Sequence, residues 1–150
     1  MPAGPGNYDA LLALIEATCA AQVPEAHANG IYISLLSLAR AIEQQKIPCL
    51  LLSISLATDD PHWEDSGPVT LHYVREQGES DVTTYSELIA KAQLLQTALT
   101  NLDFADSYVR GKPDIDASRN IALNQYFEES RQPFWSARIL FQVVTGEVTP

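Results

Sequence analysis

A cluster of carboxylates and two histidines lies near the middle of the chain, in the stretch ATDDPHWEDSGPVTLHYV, residues 57–74. The segment 59–65 holds the residues that could bind a metal ion or a partner: Asp59, Asp60, His62, Trp63, Glu64 and Asp65. Carboxylates suit Ca²⁺ or Mg²⁺, and histidine combined with aspartate suits Zn²⁺ or Fe²⁺. A metal-dependent or acid–base enzyme centred on residues 59–72 is therefore one alternative for the function.

The spacing of these side chains fits no metal-binding motif. Zinc ligands often lie four residues apart on a helix, as in HExxH, and that pattern does not occur here. Acidic residues between two strands also keep a connection solvated and discourage strands from pairing edge to edge. We therefore predict a solvated connection with no metal ion, no catalytic residue and no cofactor. Trp63 is the member that no predicted core requires, so either it contacts a partner or it folds back over the strands.

A second group of oxygen-bearing side chains begins at Asp114 in DIDASRNIALNQ. A count for a calcium-binding loop places such side chains at Asp114, Asp116, Ser118, Asn120 and Gln125. The sixth position should be glycine and is Arg119, and the twelfth should be glutamate and is Gln125. We therefore predict that Asp116 instead caps the helix that follows it.

Other catalytic motifs are absent from the sequence. There is no GxSxG, P-loop or GxGxxG pattern, so nothing points to a serine hydrolase or a nucleotide site. Cys19 and Cys49 lie in apolar segments and are expected to be buried thiols in a reducing compartment. Trp135 follows a proline in an expected turn, and aromatic side chains in charged surroundings are typical of protein-binding patches. We therefore add Trp135 to the predicted partner-binding residues.

The charge of the chain narrows the choice of partner. The 150 residues carry a formal net charge of −10, and the nine basic residues are scattered along the sequence. This argues against nucleic acid and against anionic membrane surfaces, which need clustered Lys and Arg. It favours a protein partner with a basic surface. The longest apolar run, IPCLLLSISLA, is too short to span a bilayer, and we expect a cytoplasmic protein.

The hydrophobic periodicity predicts a mostly helical α+β fold. Residues 1–6 are expected to form a flexible tail and residues 7–150 a single globular domain. Helical spacing over 8–22 and again over 25–46 predicts an N-terminal helix pair. Alternation over about 49–57 and 68–76 predicts a β-hairpin, packed against helices, with the acidic segment as its connection.

Further helical segments are predicted in the second half of the chain. Residues 84–102 show the clearest helical pattern, with Thr84 and Glu87 at the spacing of a capping box. Gly111 and Pro113 predict a break, and a helix should follow over about 117–130. The run after Pro133 fits either structure; we favour a helix, with a third strand near 137–145 as the alternative.

The function that these features favour is a non-enzymatic acidic protein-interaction module, such as an adaptor, a chaperone or an immunity-type inhibitor. Its partner would be a basic or amphipathic protein. A second alternative to the enzyme is a structural subunit of a homo- or hetero-oligomer, including a homodimer. Wide apolar stripes on residues 31–42 and 85–102 suggest that alternative.

Overall fold

The computed structural model of the protein describes residues 5–54, 66–104, 107–127 and 133–145. The helices are α1 (Pro5–Gln22), α2 (Pro24–His27), α3 (Leu35–Glu43), α4 (Asp81–Leu99) and α5 (Ile121–Phe127). The strands are β1 (Ile31–Tyr32), β2 (Cys49–Ile54), β3 (Ser66–Glu76), β4 (Asp103–Phe104), β5 (Ser107–Arg119) and β6 (Phe134–Thr145).

All of these strands belong to one mixed sheet of six strands in the order β1-β2-β3-β6-β5-β4. The pair β1–β2 is parallel and every other pair is antiparallel. The longest ladders join β6 to β3 and to β5, so β6 lies inside the sheet with a long partner on each side. The prediction of a mostly helical fold with a β-hairpin is therefore wrong. The predicted pairing of β2 with β3 is present, but only as part of this larger sheet.

The strand β5 occupies the region where a break was expected. Its register against β6 shifts between Arg110 and Asp114, and Gly111 there has a φ of +71°. A β-bulge tolerates such a residue, so the glycine bends the strand without ending it. Along the rest of β5 buried Val109 and Ala117 alternate with exposed side chains, as in a strand with one face on the core.

The favoured helix after Pro133 is also wrong, because this segment is β6. Its alternate residues are buried beneath one face of the sheet: Trp135, Ala137, Ile139, Phe141 and Val143. The pattern alone fitted both structures. The pairing decides between them, since each buried backbone N–H and C=O needs a partner and two neighbouring strands supply it.

The predicted N-terminal helix pair is wrong in its second member. Residues 25–46 form α2, β1 and α3 instead of one helix. Gly30, with a φ of +111°, follows α2 and turns the chain into β1. Ser34 then caps α3, because its side chain accepts a hydrogen bond from the N–H of Ser37 at 3.1 Å.

Two other predicted helix starts are corrected. The cap of α4 is Ser80, whose hydroxyl accepts from the N–H of Thr83 at 3.1 Å, so Thr84 lies inside the helix. The cap of α5 is Asn120, whose Oδ1 accepts from the N–H of Leu123 at 2.9 Å. Asp116 does not cap this helix, because it lies in β5 opposite Arg138.

The two faces of the sheet carry different cores. Helices α1 and α4 cover the larger core, which includes Leu11, Ile15, Leu50, Leu71, Leu88, Leu95 and Ile139. Helices α3 and α5 cover a smaller core on the opposite face, formed by Leu38, Ile42, Cys49, Val74, Leu123 and Phe134. The edge of the sheet at β1 lies between α1 and α3, and this placement creates the candidate site.

Candidate functional site

Most of the residues selected from the sequence lie outside the described part of the chain. These are Asp59, Asp60, His62, Trp63, Glu64 and Asp65, and their role in binding stays a prediction. Trp135 is described and lies in β6, where it is 8% exposed within the larger core. Its Nε1 donates to Oε1 of Gln77 at 3.3 Å, and the guanidinium of Arg119 lies 5.7 Å from the ring centroid.

His72 lies on the face of β3 opposite to the larger core. Its register partners are Leu51 in β2 and Arg138 in β6, while Ser53 lies opposite Thr70. The Nδ1 atom is buried and has no hydrogen-bond partner. Burial and the neighbouring charge of Arg138 lower the pKa of His72, so the neutral imidazole is favoured.

The described residues offer no metal centre. Within residues 5–54, 66–104, 107–127 and 133–145, no group of three or more His, Cys, Asp or Glu could hold an ion. Asp114, Asp116 and Ser118 of the calcium-loop count follow one another along one face of β5. Alternate residues of a strand are about 7 Å apart, so these side chains do not wrap around a single ion.

A groove opens at the edge of the sheet, where α1 passes beside β1. Its volume is about 360 Å³, and its lining residues are Leu12, Ile15, Glu16, His27, Gly30, Ile31, Ile33 and Leu52. We call this feature the edge groove. Helix α1 supplies one wall, β1 and the residues around it supply the other, and Leu52 of β2 contributes from inside the sheet.

The position of β1 is set by a small network of hydrogen bonds. The N–H of Leu50 donates to the carbonyl of Gly30 at 3.1 Å. The side-chain amide of Asn29 donates to the carbonyl of Pro48 at 2.8 Å, and the hydroxyl of Tyr32 donates to the carbonyl of Asn29. A Cβ on Gly30 would lie 2.8 Å from the Tyr32 hydroxyl, so only glycine fits this turn. These contacts hold the groove wall formed by β1 against β2.

The edge groove exposes aliphatic side chains to water. Ile15 and Leu52 are buried at its base, whereas Leu12 is 39% exposed and Ile33 is 75% exposed. Ile33 directly precedes the cap of α3, a position from which an apolar side chain often packs onto the first turns of the helix. Because Ile33 is so exposed, it packs little against α3. Leu36 on the first turn of α3 adds another side chain that is 49% exposed.

Acidic groups lie beside this apolar surface. The carboxylate of Glu16 is 69% exposed and lies 3.6 Å from Nε2 of His27. On α2, Glu25 accepts a hydrogen bond from the Tyr73 hydroxyl at 2.8 Å and pairs with Lys91 at 3.4 Å. Burial raises the pKa of Glu25, but these contacts outweigh it and the pKa is lowered. Glu25 thus has partners within the protein, and the exposed Glu16 can meet a cation from outside.

A second cavity, also about 360 Å³, is lined by Ile47, Pro48, Tyr73, Arg75, Glu76 and Gln77. The guanidinium of its one basic residue, Arg75, is occupied by internal contacts. Arg75 forms an ion pair with Glu87, and its Nε donates to the carbonyl of Glu76 at 2.8 Å. We therefore assign a structural role to Arg75 and take the edge groove as the candidate site.

The sequence reasoning missed the edge groove because it placed Ile31 and Ile33 in one long helix. Asn29 and Gly30, followed by the β-favouring run IYI, were the signal that could have shown a turn into a strand.

Comparison of the chain with known protein families and with curated proteins finds no match. None of the described helices combines the length and the apolar character needed to cross a membrane. The edge groove and its charge are therefore the features that bear on function.

Proposed function

We propose that the protein is a non-enzymatic interaction module that binds a basic or amphipathic segment of a partner protein in the edge groove. The observation that carries this proposal is the exposed aliphatic surface formed by Leu12 and Ile33 above the buried base of the groove. Apolar side chains that line a concave surface are typical of a binding site.

The groove is large enough to take a few side chains. Its volume of about 360 Å³ lies at the lower end of the range for ligand sites. Burying one aliphatic side chain stabilises a complex by about 1.5–3 kcal/mol. Two or three such contacts contribute about 3–9 kcal/mol. Association costs about 4–15 kcal/mol in lost translational and rotational freedom, so measurable binding also needs the charge attraction to the partner.

The charge of the protein supports a basic segment. The exposed carboxylate of Glu16 lines the groove, and the whole chain carries a formal net charge of −10. Lysine or arginine beside the apolar residues of the partner would therefore be attracted to this surface, and the association should weaken as salt screens the charges. The acidic residues 59–65 remain a predicted second contact for such a partner.

The proposal can be tested with two synthetic peptides of the same lysine and valine composition. In one peptide the valines alternate with lysines, as in a strand, and in the other they follow helical spacing. We expect at least one labelled peptide to bind at low salt in a fluorescence anisotropy titration, and its counterpart with glutamate in place of lysine to bind far more weakly. If neither peptide binds, the proposed function is wrong.

A matched pair of variants locates the binding site. Ile33 is 75% exposed at the edge groove and Ile121 is 71% exposed at the start of α5. We expect Ile33→Ala to weaken peptide binding about tenfold and Ile121→Ala to leave it unchanged. Equal effects of the two substitutions would contradict the assignment to the groove.

The proposal includes a cytoplasmic location. It is supported by the two cysteines, Cys19 and Cys49, which are buried free thiols, as is usual in a reducing compartment. Cell fractionation tests this part, and recovery outside the cytoplasm would contradict it.

A further inference from the structure

The strand β1 forms one edge of the sheet. The strand order begins at β1, and its partner β2 occupies one side only. No other strand of the described chain pairs with its second side. The backbone groups on such an edge are a template for an additional strand, and several protein families recognise extended peptides in this way.

The hydrogen-bonding groups of Ile31 point to this free side. In a strand, consecutive residues direct their N–H and C=O groups to opposite sides. The carbonyl of Gly30 accepts from the N–H of Leu50, so it faces β2. The N–H and C=O of Ile31 therefore face away from β2, and the N–H of Tyr32 faces β2.

The side chain of Ile31 connects this edge to the groove. Its register partner is Leu50, which belongs to the larger core under α1, and Ile31 packs against the same core. Register partners lie on the same face of a sheet, so Ile31 faces α1. A strand added beside β1 would lie about 4.8 Å away and continue the pleat. Every second side chain of that strand would then point into the edge groove.

These observations decide between a helix and an extended segment in the groove. The backbone groups of a helix are already hydrogen-bonded to one another. A helix bound over the edge would therefore displace water from the N–H and C=O of Ile31 without offering these two groups new hydrogen bonds. An extended segment pairs with both groups and fills the groove at the same time. The backbone contact and the apolar contact therefore favour the same occupant.

We infer that the protein binds an extended segment of its partner as an added strand on β1. The segment has aliphatic side chains at alternate positions, which enter the edge groove, and lysine or arginine between them, which meets Glu16 and the negative field of the protein. This inference rests on the proposed function and specifies its mode of binding. Because β1 has only two residues, the added strand depends on the groove contacts as well as on its hydrogen bonds.

The test uses the alternating lysine–valine peptide and two N-methylated forms of it. One form carries N-methyl groups on the valines and the other on the lysines. In a strand, every second residue directs its N–H group to the same edge. Either the valines or the lysines therefore donate to β1, and only the form methylated on those residues loses the N–H groups that meet β1. We expect one form to bind at least about tenfold more weakly than the parent peptide, while the other stays within about threefold. The sensitive form also reveals whether the added strand runs parallel to β1.

Amide hydrogen exchange, followed by NMR, gives an independent measurement within the protein. Peptide binding should slow exchange of the Ile31 amide, which faces the free edge, by about tenfold or more. The neighbouring Tyr32 amide faces β2 in the free protein, so its exchange should change far less. Equal slowing of both amides would show general stabilisation and would overturn the inference.

The outcomes separate this inference from the proposed function. If the parent peptide binds and both N-methylated forms bind equally well, or if the helically spaced peptide binds more tightly, strand addition is wrong and the interaction function stands. If no peptide binds, the proposed function itself fails. If the free protein dimerises in analytical ultracentrifugation and the peptide dissociates the dimer, the occupant is a second copy of this chain and the inferred partner is wrong.

Discussion

Asn124 in α5 serves as a hydrogen-bonding partner for the first residue of β6. The N–H of Phe134 donates to Oδ1 of Asn124 at 2.8 Å, and the side-chain amide of Asn124 donates to the carbonyl of Phe134 at 3.1 Å. The side chain thus makes the pair of bonds that a neighbouring strand would make. We predict that Asn124→Ala destabilises the protein by about 2 kcal/mol.

The magnitude follows from which groups lose their partners. The N–H of Gln77 donates to the carbonyl of Pro133 at 2.8 Å, so this carbonyl points toward β3. The N–H and C=O of the next residue, Phe134, therefore point to the opposite side. The carbonyl of Phe134 also accepts from the N–H of Asn120 at 2.7 Å and keeps that bond in the variant. Only the N–H of Phe134 is left without an acceptor, at a residue that is 0% exposed.

An unsatisfied buried donor costs about 1–3 kcal/mol, and the lost second bond adds up to about 1 kcal/mol. Replacing asparagine by alanine inside a helix returns roughly 0.5 kcal/mol. The sum of these terms is the predicted loss of about 2 kcal/mol.

Urea unfolding, followed by circular dichroism, measures this loss. The control is Gln125→Ala, because Gln125 is the exposed neighbour of Asn124 on the same helix. Both substitutions gain helix propensity, but only Asn124→Ala removes an acceptor from a buried N–H. Equal unfolding midpoints for the two variants would refute the reasoning. Faster hydrogen exchange of the Phe134 amide in Asn124→Ala would identify the group responsible.

Three further outcomes are expected. Burial lowers the pKa of His72 in the folded state. On acidification the unfolded chain therefore binds a proton first, and the stability of the folded protein falls as the pH drops below about 6.5. Thermal melts at decreasing pH should show a smaller loss of stability for His72→Gln than for the wild type. Burial raises the pKa of Cys19 and of Cys49 to about 12, so a thiol reagent should label neither in the folded protein and both after unfolding; rapid labelling of the folded protein would contradict their burial. Gly30→Ala places a side chain at a φ of +111° and should cost about 1–3 kcal/mol in urea unfolding, whereas an unchanged midpoint would show that the turn before β1 tolerates a Cβ.

The sequence by itself determined the features that depend on neighbouring residues. Helical periodicity located α1 and most of α4, and strict alternation located β2, β3 and the face of β3 that carries Val69 and Leu71. Net charge is a sum over residues, so the acidic character of the protein followed from composition, and the basic partner is a prediction made from it. None of these inferences required knowledge of which distant segments meet.

The tertiary structure alone decided the rest. The run after Pro133 fits a helix or a strand, and it becomes β6 because β3 and β5 lie on either side to complete its hydrogen bonds. Gly111 interrupts a local pattern, but a bulge against β6 lets β5 continue past it. Ile31 has helical spacing with the apolar residues of α3, yet pairing with Leu50 draws it into the sheet. The edge groove exists only because that pairing brings β1 beside α1, a contact between distant segments that no local pattern encodes.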